Sequence, residues 1–230
     1  MLRTIVAGLG LTMALLVAAC SAAPTPILPP GATLVPSAPV APVADAPAAS
    51  SDLVRLVLVP DQSEARYRVR EQLAGVSLPS DAVGATKAIT GTIVGRLDGT
   101  IVSDQSMFQV DLRPLKSDEG IRDNFLSRSV LETARFPYAT FVPTSAPGLP
   151  LALPTSGELA FKLVGNLTIR DVTKPVTWDV TGKVVGSTAT GQASTTFTFE
   201  DFNLTPPHVA RVLNIVDSIR LELDLTLRRE

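Results

Sequence analysis

Ser218-Ile219-Arg220-Leu221-Glu222-Leu223-Asp224-Leu225-Thr226-Leu227-Arg228 alternates strictly between aliphatic and polar side chains. Successive side chains of a β-strand point to opposite faces, so this run puts Ile219, Leu221, Leu223, Leu225 and Leu227 on one buried face. Ser218, Arg220, Glu222, Asp224, Thr226 and Arg228 stay in water. A helix would scatter the same residues around its circumference. The period recurs upstream: in Glu64-Ala65-Arg66-Tyr67-Arg68-Val69-Arg70 the Ala/Tyr/Val set opposes the Glu/Arg set. Along a longer run, Leu159, Phe161, Leu163, Leu167 and Ile169 oppose Glu158, Lys162, Asn166, Thr168 and Arg170. Further strands are expected at Thr86 to Leu97, Met107 to Leu112, Tyr138 to Val142, Pro175 to Val185 and Thr190 to Phe199, with Leu53 to Val59 beginning the sheet. Asp171-Val172-Thr173-Lys174 interrupts the pattern before Pro175 and is expected to form a hairpin turn. About eight strands, each with one apolar face to hide, close into an antiparallel barrel or fold into a sandwich. The class is all-β.

One segment departs from the period. Between Ser117 and Arg135, Ile121, Phe125, Leu126 and Val130 repeat at helical spacing, which predicts a short helical insertion ended by Pro137. Ser117 is the expected N-cap, and Asp118 and Glu119 fall in the first turn, where negative charge suits the helix dipole.

The first fifty residues have a different character. Arg3 followed by the apolar run Ile5 to Val17 reads as a signal peptide, too short to span a bilayer comfortably. Val17-Ala18-Ala19-Cys20 then resembles a bacterial lipobox, and Cys20 is the only cysteine in the chain. It can form no internal disulfide, so the expected fate of Cys20 is lipidation and attachment to a membrane on the extracytoplasmic side, in the cell envelope. Residues Ser21 to Ser51 are dominated by Pro, Ala and Ser with almost no charge. Such a composition buries too little apolar surface to offset its conformational entropy, and is expected to act as a tether. The folded domain is expected over residues 52–230. The net charge is -2 with both signs dispersed. That leaves no basic field for a phosphate backbone, so nucleic acid is not an expected partner.

The order of residues adds a family to this reading. Arg122-Asp123-Asn124-Phe125-Leu126, followed by Leu131-Glu132-Thr133-Ala134-Arg135-Phe136-Pro137-Tyr138-Ala139-Thr140-Phe141, resembles the central signature of the YceI-like lipid/polyisoprenoid-binding family. Val164-Gly165-Asn166-Leu167-Thr168-Ile169-Arg170-Asp171-Val172-Thr173-Lys174-Pro175-Val176 is similar to that family's long hairpin. Phe199-Glu200-Asp201-Phe202-Asn203 is a weaker third match, and together these cover about Ser63 to Leu227. The resemblance implies a lipocalin-like antiparallel barrel whose apolar lumen holds a long isoprenoid or fatty-acyl chain, with no catalytic residues. It also shows departures: Glu71 and Gln72 stand where the family commonly has a histidine and a Gly-Phe pair follows, and Val76 to Thr86 is expected to be a loop.

An eight-stranded barrel is near the size at which the interior is either filled by side chains or has room for one ligand. The inward apolar residues Tyr67, Val69, Phe108, Val110, Leu163, Leu167, Trp178, Phe197, Phe199 and Leu223 suit a lipid tunnel and a packed core alike. An enzyme is poorly supplied. His208, the only histidine, follows Pro206-Pro207 in an expected loop, which argues against a multi-histidine metal site or a Ser-His-Asp arrangement. Asp104, Asp111, Asp123 and Glu132 fall on different elements with no spacing that requires them to meet. Arg122 and Asp123 are expected to cap the insertion or brace it against the barrel. No cofactor or metal is expected; a long-chain lipid such as a polyisoprenoid is the expected partner. The other reading is a scaffold or stress-response lipoprotein with a filled barrel.

Overall fold

A computed structural model describes residues 52–75, 77–150, 154–207 and 212–230. All of these fall within the compact unit Pro47–Glu230. Cys20, the expected tether and His208 lie outside the described residues.

The strands are β1 (Leu53–Leu58), β2 (Glu64–Leu73), β3 (Ser80–Thr86), β4 (Ile89–Arg96), β5 (Met107–Asp111), β6 (Lys116–Ser117), β7 (Tyr138–Ser145), β8 (Ser156–Ile169), β9 (Val172–Val185), β10 (Thr188–Phe197) and β11 (Val212–Arg229). Every pairing is antiparallel. Eight strands close a ring in the order β1-β4-β5-β7-β8-β9-β10-β11, with β11 returning to β1. The remaining three continue from β11 through β2 and β3 to β6.

Register explains why eleven strands make an eight-stave barrel. One edge of β11 pairs first with β1, at Leu58↔Leu227, and then with β2, at Glu64↔Asp224. β1 and β2 are thus two halves of one stave, as are β3 and β4, which pair with β2 and β1 respectively. β5 and β6 follow suit against β4 and β3. The first break falls at a 3₁₀ turn, Pro60–Gln62, whose proline has no N–H to give a ladder. There the buried Ser63 hydroxyl stands in for a backbone carbonyl, accepting from Thr226 N at 3.0 Å. The second break is at Lys87-Ala88, where Ala88 N donates to Thr86 Oγ1 at 3.1 Å.

Several expectations shift accordingly. Thr86 to Leu97 is not one strand, because β3 ends at Thr86 and β4 begins at Ile89. The expected loop before it contains a strand, β3. Its inward positions are Ala82 and Gly84, too small to signal a buried face, because the Tyr67 ring lies over Gly84. The β8–β9 hairpin turns at Arg170-Asp171, not at Asp171 to Lys174, since Ile169 pairs directly with Val172 and Arg170 takes φ 57°. The insertion is an α-helix, α1 (Gly120–Phe125), followed by a π-turn over Leu126–Val130. Its N-cap is Glu119, because Ser117 is still paired in β6. Ile121 sits at 76% exposure, outside the packing that holds Val130 at 2%.

Candidate functional site

The pleat decides what faces the barrel axis. On β11, Ile219, Leu221 and Leu223 lie opposite Phe197, Thr195 and Ala193 of β10, and opposite Val69, Tyr67 and Ala65 of β2. Across the barrel Leu163 pairs with Trp178, Phe108 with Phe141, and Val110 with Ala139. These inward rows surround one cavity of about 600 Å³, lined almost wholly by hydrocarbon. That volume lies within the ~300–1,000 Å³ of small-molecule sites. Tyr67, Val69, Phe108, Val110, Leu163, Leu167, Trp178, Phe197, Phe199 and Leu223 all line it.

The interior is open. Tyr67, Val69, Val110, Leu163, Leu221, Leu223 and Leu225 point inward yet are only half-buried. In a filled barrel, neighbours would cover them on every side. Glycines opposite the aromatics are one cause. Tyr67 rests on Gly84, Phe108 on Gly91 and Phe141 on Gly165, so three of the largest side chains lie along the wall instead of across the lumen. A Cβ at Gly91 would come within 2.9 Å of Phe108 Cε1, and one at Gly165 within 2.6 Å of Phe141 Cζ. Gly182 and Gly191, paired on β9 and β10, leave another stretch of wall without side chains.

Polar groups interrupt the hydrocarbon near the helical insertion and at Trp178. Near the helical insertion, Glu71 is 6% exposed and accepts from Arg122 Nη2 at 2.6 Å. Arg122 also donates to Asp118 at 2.6 Å and to Ser117 Oγ at 3.2 Å. Asp123 Oδ1 accepts from Ser117 N and Oγ at 2.8 and 2.7 Å. Arg122 and Asp123 therefore tie α1 to β6 and, through Glu71, to β2. In sequence Glu71 stands out only as a departure from the family pattern, although it continues the inward series Ala65, Tyr67, Val69 and its phase places it inside. The Tyr67 hydroxyl is buried beside this cluster, within reach of Ser117, Arg122, Asp123 and Glu71, whereas Trp178 Nε1 is buried without a hydrogen-bond partner. Burial pushes the Tyr67 phenol up to about 12, against the opposing charge of Arg122.

Other singled-out residues serve the framework. Arg170 Nη2 meets Glu132 Oε1 at 2.6 Å and its guanidinium lies 5.7 Å from the Phe136 ring, so the two longest sequence motifs clasp one another. Asp111 pairs with Arg113 at 2.6 Å, and that guanidinium holds its carboxyl below the usual range. Asp111, Asp123 and Glu132 thus have separate partners.

Comparison with known proteins places the chain. Solved structures share the fold at low identity. A polyisoprenoid binding domain from Saccharophagus degradans implicated in plant cell wall breakdown aligns with TM-score 0.60 and 13% identity, covering 76% of this chain and 98% of that one. Burkholderia cenocepacia BcnA aligns with TM-score 0.52 and 15% identity, over 74% of this chain and 98% of its own. The Campylobacter jejuni YCEI protein gives 0.53 and 16%, over 69% and 90%. No curated protein sequence matches. The family model of the YceI-like domain matches residues 56–227, from the first strand of the barrel nearly to the end of the last, and the chain belongs to that family.

Proposed function

We propose that this chain is an envelope lipoprotein, anchored through a lipidated Cys20, whose barrel holds the apolar part of a long lipid such as a polyisoprenoid or fatty-acyl chain. It acts by binding, not catalysis. The observation that carries the reading is the open hydrocarbon-lined cavity of about 600 Å³ with its half-covered inward leucines. A filled-barrel scaffold has no use for such a space. The fold relative from Saccharophagus degradans is described as a polyisoprenoid binding domain, which supports the same class of ligand.

Hydrocarbon burial supplies enough affinity by itself. Each methylene removed from water contributes about 0.8 kcal/mol, so ten contribute about 8 kcal/mol before ordering costs. That gross figure corresponds to a Kd of about 1 μM. The test is Leu163→Trp, which adds bulk to a half-buried inward position facing Trp178. Binding of a radiolabelled polyisoprenol should weaken while the melting temperature of the ligand-free protein holds. A sharply lowered melting temperature, with no binding even by the parent, would leave the scaffold reading in its place.

A further inference from the structure

We propose that the end of the barrel at Leu73, Leu78 and Leu213 is a membrane-docking tip that enters the bilayer to load the lumen; this rests on the lumen being the ligand site and on anchoring through Cys20. At this end β11 runs past the ring. Its pairing with β10 stops at Ile219, and among the described residues Val212 to Ile215 pair with β2 alone. Leu73 lies opposite Val212, and β2 then turns into β3 through residues 74–79. Neither Leu73 to Pro79 nor Val212 to Val216 contains a charged residue. Charge returns at once on the ring side, where Arg70 meets Asp81 at 3.2 Å and Asp217 follows Val216.

Large apolar side chains stand in water on this tip. Leu78 is 76% exposed, Leu213 68% and Val216 47%. Leu213 and Val216 fall at the two bulges of β11, which re-aim side chains away from the regular pleat. Exposed Ile121 joins them from α1, whose Arg122 is bound to Glu71, two residues before Leu73. Single exposed leucines are ordinary, but several on one uncharged tip mark a partner surface.

Two observations make that partner a bilayer. The first is continuity with the lumen: Leu73, Ile121, Val212 and Ile215 line the cavity as well as border the tip. A lipid leaving the bilayer here enters the lumen without crossing water. The second is the length of chain before the barrel and where it ends. Leu53 lies opposite Arg96 and Leu56 opposite Arg229, so residues 21–52 join the domain at the other end of β11, about 55 Å along the strand from Val212. A Pro-rich segment of that size can reach about 100 Å at ~3 Å per residue. That reach exceeds the length of the barrel, enough for the tip to turn back onto the membrane that holds Cys20.

The experiment reads where each end of the barrel sits when the full lipidated chain is reconstituted into phosphatidylethanolamine/phosphatidylglycerol vesicles. Lipidation occupies Cys20, so Leu213→Cys supplies the one free thiol for an NBD fluorophore. Val185→Cys, at a 63% exposed position beside the β9–β10 turn at the other end, is the control. NBD at 213 should shift to the blue and be quenched by brominated lipid, while NBD at 185 reports water. A pyrene-labelled fatty-acyl ester should pass from these vesicles into Leu213→Asp at least tenfold more slowly than into the parent. The Kd for the same ester added without vesicles should stay within about twofold, and the variant should melt as the parent does because Leu213 is exposed. An aqueous spectrum at 213, equal quenching at 213 and 185, or unchanged transfer into Leu213→Asp overturns the proposal. So does a blue shift at 213 that lipid does not quench and dilution removes, which gives the patch to a second copy. If the parent takes the ester from neither source, the lumen reading falls and the loading role with it, while quenching at 213 still decides the docking. If the protein's mass shows no lipid on Cys20, the anchor reading falls, and the same quenching in a Cys20→Ser background mixed with vesicles decides the docking.

Discussion

Replacing Gly91 with alanine asks whether the barrel is open, because the three atoms nearest the added methyl all belong to the Phe108 ring. The ring must tip off the wall toward the axis. In an open lumen it has somewhere to go, and the methyl also removes the ~0.5–1 kcal/mol entropic cost of glycine within a strand. Stability should then change by less than about 1 kcal/mol, which for a domain of this size is within roughly 2–4 °C in Tm. The tipped ring occupies ligand space. Excluding two methylene-sized units from the lumen costs about 1.6 kcal/mol, or about fifteenfold in Kd for a long-chain lipid. Gly165 is the control: an added Cβ there meets the Val142 carbonyl oxygen as well as the Phe141 ring, and backbone cannot swing aside. Gly165→Ala should cost ~1–3 kcal/mol and lower Tm by roughly 2–12 °C with or without ligand. Differential scanning calorimetry and lipid titration on both variants give the comparison. Equal destabilisation of Gly91→Ala and Gly165→Ala would refute the open lumen, since Phe108 would then be pinned by a solid core.

Arg122→Leu leaves the 6%-exposed Glu71 carboxylate without its cation and should destabilise by about 3 kcal/mol; the double variant Glu71→Leu/Arg122→Leu should recover most of this in chemical denaturation. Little difference between single and double variants would show that the pair is solvated. In Tyr138→Phe, Tyr67 is the remaining tyrosine of the two in the chain, and its ultraviolet titration should have a midpoint near 12, not 10. The folded state holds this proton more strongly than the unfolded chain, so the contribution of Tyr67 to stability falls as pH rises past 10 and through about 12. A midpoint at 10 places the hydroxyl in water. Cys20→Ser in the full chain should abolish incorporation of labelled fatty acid and release the protein from the membrane fraction; unchanged partitioning would mean a different anchor.

The parts of the fold that could be read from sequence are those whose inner face is made of large aliphatics. β11, β8 and the start of β2 announce themselves because Ile219 to Leu227 and Ala65 to Val69 alternate without interruption, and Leu159 to Ile169 does so apart from Ala160, Val164 and Gly165. β3 does not, since its lumen side is Ala82, Gly84 and Thr86, and at Gly84 the Tyr67 ring leaves no room for a side chain. An absent side chain has no periodicity to detect. The breaks in the staves were likewise hidden, as one stave is continued through the Ser63 hydroxyl and not through backbone alone. Within the cavity, the ten expected inward residues all reach the lining, because the alternation that defines a strand also defines its inside. Whether they filled that space was not legible. It depends on Gly84 and Gly91 lying opposite the rings at 67 and 108, and on Gly165 lying diagonal to the ring at 141, and such placements require the register. The inward position of Glu71 was not legible for a different reason: a carboxylate in phase with a buried face is discounted until its partner, Arg122, is seen from fifty-one residues away.

The most direct measurement of the central claim is native mass spectrometry of the full chain purified from a bacterial envelope, followed by organic extraction. The account predicts a protein species carrying one additional lipid mass that extraction removes, with the extracted molecule bearing a long apolar chain. A protein that flies only at its own lipidated mass, and that takes up neither added polyisoprenol nor fatty-acyl ester, would contradict it.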